Sequence, residues 1–174
     1  MAGDAAERAY KARALAQAHP LTPLAQRCRS RAVAQEEIDQ PMAELARWAG
    51  EALLKGYCLR KVEEEAAGLG SGALDEETEL DAVEARASEI AADLRTGDPV
   101  PHLLGEADLT FGALDRIITS ELENRAQNYR DAVDAAGWRQ FEEYLAWWTV
   151  RGYALRAAEA TQGAHPRAQR AAGA

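Results

Sequence analysis

The sequence predicts an all-α protein, a bundle of five or six helices built around two related helical hairpins. Three observations carry that expectation. Alanine is abundant and β-branched residues are sparse, which favours helix over sheet. The six prolines fall in loops or where a helix would begin or end. The decamer KGYCLRKVEE at 55–64 returns as RGYALRAAEA at 151–160, offset by 96 positions.

The elements follow in order. A first helix is expected over 4–18, with Asp4 and Glu7 at capping-box spacing and the His19-Pro20 pair ending it. A second spans 24–38. Asp39-Gln40-Pro41 then either caps a third helix or kinks one long helix, which continues to about residue 67 and stops at GLGSG, 68–72. Asp75 opens a very acidic fourth helix ending at Thr96-Gly97, and 98–102 reads as an extended linker. A long helix over 108–135 follows, then a break at Gly137 and a last helix through Ala160. Residues 1–160 therefore form one helical domain. The stretch 161–174 has no apolar period and reads as a disordered tail.

Extending the decamer backward without gaps pairs Leu45 with Phe141, Trp48 with Tyr144 and Pro41 with Gly137. At helical spacing one copy presents Ile38, Met42, Leu45, Ala49, Ala52, Gly56 and Leu59 on a single face. The other presents Trp138, Phe141, Leu145, Trp148, Gly152 and Leu155. A glycine inside a helix costs about 0.5–1 kcal/mol relative to alanine, so a packing reason is expected. The two helices are therefore expected to cross with Gly56 and Gly152 at their closest approach.

Composition excludes several functions. A net charge of −9 argues against general nucleic-acid binding. The charge is segregated, with six basic and two acidic side chains in 1–34 against nine acidic and two basic in 75–98. Arginine outnumbers lysine 17 to 3, a bias expected of a GC-rich bacterial gene. No apolar run approaches membrane-spanning length and no secretory h-region is present at the N-terminus. Cys28 and Cys58 form no CxxC pair, which points to reduced thiols in a cytoplasmic protein.

Candidate chemistry is thin. Tyr57 with Arg60, and Tyr153 with Arg156, lie at i,i+3 and would hold a small anion near the crossing, with Trp148 in an aromatic wall. The plainer alternative pairs Arg60 with Glu63 or Glu64 and Arg156 with Glu159, each tyrosine hydroxyl reaching the rim. Glu36, Glu37, Asp39 and Glu44 offer carboxylates for Mg²⁺, as in all-α phosphohydrolases. Their equally simple role is a solvated face and a cap. His19, His102 and His165 each adjoin a proline, away from inward helix faces, so a histidine-ligated metal is not expected. No nucleophile motif, P-loop or cofactor signature occurs. Trp147 points about 100° from Trp148 on a helix, so with Tyr144 it addresses a second surface: another helix, a ligand cavity or a partner chain.

The reading that follows is a non-enzymatic interaction or assembly protein without a cofactor, a homodimer or a small subunit of a complex. A small anionic-ligand binder with a pocket between the repeats is the second reading, and a Mg²⁺-dependent phosphohydrolase the third.

Overall fold

Asp4 caps α1 (Ala5–Ala18) by accepting a hydrogen bond from the Glu7 amide at 2.9 Å, which satisfies one orphan donor of the helix. The computed structural model describes residues 4–18, 25–28, 40–69, 80–97, 100–130 and 135–172. A helical turn at 25–28 precedes α2 (Gln40–Ala66), followed by α3 (Leu80–Thr96), a 3₁₀ turn (Val100–His102), α4 (Ala107–Arg130) and α5 (Ala135–Ala172). Among the described residues the secondary structure is entirely helical, and no helix is long and apolar enough to cross a membrane.

The stop after α2 has a clear local cause. Gly68 adopts φ +72°, its amide bonds the Glu65 carbonyl at 3.0 Å, and the Leu69 amide bonds the Glu64 carbonyl at 2.9 Å. Those paired bonds close the last turn, and the left-handed residue between them favours glycine.

Helix α5 lies at the centre. Its largest interface is with α2, α3 packs on its other side, α1 packs on α2, and α4 bridges α1, α2 and α5. Trp48 meets Phe141 edge-on, with ring centroids 5.2 Å apart, while Glu64 near the other end of α2 meets Arg156. The two helices therefore run in the same sense through their crossing. Much of the core is alanine, as composition suggests: Ala9, Ala12, Ala49, Ala52, Ala91, Ala113, Ala154 and Ala158 are all fully buried. The expected apolar faces are buried where their side chains are described, namely Ala49, Ala52 and Leu59 against Phe141, Leu145, Trp148 and Leu155.

The acidic α3 carries an apolar stripe, Val83, Ala87, Ile90, Ala91 and Leu94, whose period seats it on α5. Three boundaries depart from expectation. Residues 100–102 coil into a 3₁₀ turn in place of an extended linker, tied down where the His102 ring meets Asp93 at 2.9 Å. Gly137 lies inside the first turn of α5, because the helix starts two residues earlier. Helix α5 also continues beyond Ala160 to Ala172, through residues assigned to a tail. The alanines and arginines there favour helix, and Pro166 lies inside α5, against the expectation that every proline falls in a loop or at a helix end.

Candidate functional site

At the crossing of α2 and α5 the backbones touch. A Cβ built on Gly56 would overlap the Thr149 carbonyl oxygen, with the carbonyl carbon at 2.9 Å and the Tyr153 nitrogen at 3.1 Å. A Cβ built on Gly152 would overlap the Leu53 oxygen, with its carbon at 2.7 Å and the Tyr57 nitrogen at 2.9 Å. The two sets of neighbours are equivalent under the 96-residue offset.

This approach carries the decamer's polar side chains past each other into the interior. Tyr57 donates to Glu159 Oε1 at 2.8 Å, and Tyr153 donates to Glu63 Oε2 at 2.5 Å, again a reciprocal pair. Arg156 donates through Nε to Glu64 Oε2 and through Nη1 to Glu159 Oε1, both at 2.9 Å. Arg60 donates to the Tyr153 hydroxyl at 3.0 Å and to the His102 carbonyl at 2.6 Å, and its Nε stands 3.9 Å from Glu64 Oε1. Glu63 also accepts from Thr110 at 2.7 Å and lies 3.6 Å from Arg8.

The result is one continuous chain: Arg8, Glu63, Tyr153, Arg60, Glu64, Arg156, Glu159, Tyr57. It balances three guanidiniums against three carboxylates. Glu63, Glu64 and Glu159 are buried alongside Arg60, Arg156 and both tyrosines. A buried charge is tolerable only when paired in this way.

Electrostatics follow from the burial. Desolvation, reinforced by Glu63, pushes the Tyr153 hydroxyl upward, so it stays protonated and donates. Burial works against the Arg156 charge, but Glu64, Tyr57 and Glu159 outweigh it and hold the guanidinium above its ordinary value. Lys61, at the edge, is held below its ordinary value by burial and by Arg156.

The structure thus brings Tyr57, Arg60, Tyr153 and Arg156 together. It places the hydroxyls in the interior, where the sequence alternative had them at the rim. Arg156 does take Glu159 at i,i+3, but Glu64 from the opposite helix is its second partner. Glu63 and Glu159 as acceptors for the tyrosines of the other helix escaped sequence reasoning. The available signal was the glutamate shared by both decamers.

A second locus lies between α3 and α5. A cavity of about 320 Å³ is lined by Cys28, Leu53, Asp81, Glu84, Trp148, Arg151 and Leu155 among others. Trp148, expected in an aromatic wall, stands in this cavity's wall. Trp147 is half-buried on the neighbouring surface, with Arg95 4.5 Å and Arg151 5.5 Å from its ring centroid. Tyr144 meets Trp148 edge-on at 6.2 Å. Glu36, Glu37 and Asp39 lie outside the described residues, and Glu44 is described only as backbone of α2. Among the described residues no group of three or more histidine, cysteine or acidic side chains is placed to hold a metal ion.

Cys58 offers a pH-dependent test of the packing. Burial pushes its thiol from 9.0 up to about 12, against the opposing pull of Lys61. The folded state keeps a proton that the unfolded chain releases. Cys58 therefore contributes stability that is complete below its ordinary value and is lost as pH rises from there towards 12, and Tyr153 acts in the same sense. Each such group removes about 1.4 kcal/mol per pH unit across its window. Urea midpoints should hold steady up to about pH 9 and then fall, less steeply in Cys58→Ala. A flat profile to pH 11 would show that the thiol and phenol are not buried.

Comparison of the chain with protein-family models, curated proteins and solved structures found no match.

Proposed function

We propose that this protein is a non-enzymatic helical interaction protein, acting in the bacterial cytoplasm as a homodimer or as a small subunit of a larger assembly. The observation that supports it best is where the reactive side chains are committed. The tyrosines, arginines and glutamates of the seam are bonded to one another away from solvent, which is the arrangement of a lock between helices and leaves no place for a substrate. Beside that seam, Trp147 and Tyr144 stay partly exposed next to Arg95, residue types that dominate binding hot spots.

The occupant of that face is a second copy of this chain. The chain is acidic overall, and α3 carries exposed carboxylates, Asp81, Glu89 and Asp93, on the same helix as Arg95. A two-fold interface that lays α3 against its own copy brings Arg95 of one protomer toward the carboxylates of the other. Sedimentation equilibrium should give twice the monomer mass at micromolar concentration. Trp147→Ala should shift the protein to monomer with its circular dichroism unchanged. A monomeric mass for the unmodified protein up to millimolar concentration would refute the homodimer.

The two central helices are best understood as copies of one hairpin unit, an internal duplication. What supports this is the 96-residue offset shared by Gly56 with Gly152, Tyr57 with Tyr153, Arg60 with Arg156 and Glu63 with Glu159. Anion binding inside the seam is the weaker reading, because Arg60 and Arg156 already face carboxylates and phenols there.

A further inference from the structure

We propose that the cavity between α3 and α5 binds a small monocarboxylate with an apolar body, the carboxylate on Arg151 and the body against Leu53, Leu155 and Trp148. This goes beyond the assembly role and does not depend on it. The cavity's volume of about 320 Å³ sits at the lower end of small-molecule sites, which admits a compact metabolite and excludes a nucleotide.

The polar groups on the two sides differ in how they are engaged. Asp81 and Glu84 are both met by Arg27, with Glu84 Oε1 3.3 Å from Arg27 Nε. The Cys28 thiol also donates to Glu84 Oε1 at 3.3 Å, so this wall's acceptors are already in use. Arg151, in contrast, stacks on Trp148 at 4.9 Å and on Trp147 at 5.5 Å, and no described carboxylate lies within ion-pair distance of it. Stacking holds the guanidinium plane and leaves its edge donors for a planar acceptor such as a carboxylate.

Charge selects among ligands. Arg27 meets both Asp81 and Glu84, and the Asp81 side chain is 80% exposed, so its charge is screened by water. Arg151 is then the cation of the lining left for a ligand, and a monoanion pairs it one to one. An amine would meet Arg151 and find the carboxylates engaged, whereas a dianion would leave a surplus negative charge near Glu84. The apolar part of the lining, Leu53 from α2 with Leu155 and Trp148 from α5, supplies the affinity that an exposed ion pair alone would not.

Isothermal titration calorimetry tests the proposal with 3-phenylpropionate as the probe and 3-phenylpropylamine and 3-phenylpropan-1-ol as matched comparators. Saturable binding of the acid alone is expected, weakened about tenfold or more in Arg151→Gln. Ala85→Trp, at an exposed alanine of the lining, should abolish binding by filling the opening while leaving every charge in place. Three results would overturn the assignment: no saturable heat up to about 10 mM acid, equal binding of the alcohol or amine, or unchanged affinity in Arg151→Gln.

Discussion

Gly56→Ala and Gly152→Ala are both expected to destabilise the protein, by about 2 kcal/mol or more and by similar amounts. Alanine is the better helix former, so propensity alone would raise stability by about 1 kcal/mol at each site. The added methyl, however, lands on backbone: the Thr149 carbonyl for Gly56 and the Leu53 carbonyl for Gly152. No rotamer change relieves such an overlap, so α2 and α5 must separate along the seam. Overpacking typically costs about 1–3 kcal/mol where side chains can adjust, and here they cannot. The melting temperature should drop by about 4 °C or more for a chain of this length. Gly105→Ala is the control, since a Cβ there meets nothing within 4 Å, and it should change stability by no more than about 0.5 kcal/mol. Higher melting temperatures for both seam variants would show that the helices do not cross at these glycines.

That crossing was legible in the sequence because glycine is an anomaly inside an apolar helix face, and two copies of one anomaly imply one cause. The end of α2 was legible for a similar reason, Gly68 being the residue type that a left-handed cap requires. The buried charges were not. Arg156 and Glu159 stand at i,i+3 whether they face water or the core, and spacing along one helix says nothing about which face a neighbour covers. Glu63 and Glu64 carry the same ambiguity. Acidic residues likewise masked the amphipathic period of α3, whose stripe depends on Val83, Ile90 and Leu94 with alanines between. The cavity was out of reach because Leu53, Glu84 and Arg151 come from three helices, and only their packing makes them neighbours.

The largest single-residue effect outside the glycines is expected at Arg156. Arg156→Met preserves length and apolar stem but removes the cation that serves Glu64 and Glu159 together, each at 2.9 Å. Glu159 keeps the Tyr57 hydroxyl and the field of Lys61, and Glu64 keeps Arg60 at 3.9 Å, but each carboxylate loses its 2.9 Å bond to the guanidinium. Breaking one side of a buried pair costs about 3–5 kcal/mol, most of it the penalty of the charge left behind. Arg8→Met makes the informative comparison. Arg8 is 3.6 Å from Glu63, which still accepts from Tyr153 and Thr110. With two hydroxyl donors still in place, its loss should cost less, about 1–3 kcal/mol. Urea unfolding should rank Arg156→Met below Arg8→Met, and Glu159→Gln in the Arg156→Met background should restore part of the deficit, a coupling of about 0.5–3 kcal/mol. If Arg156→Met fell within about 1 kcal/mol of the unmodified protein, water would have to be reaching Glu64 and Glu159, and the seam would be an open polar cleft. The lock that underlies the assembly reading would then be lost, and anion binding at Tyr57 and Arg60 would become the better account.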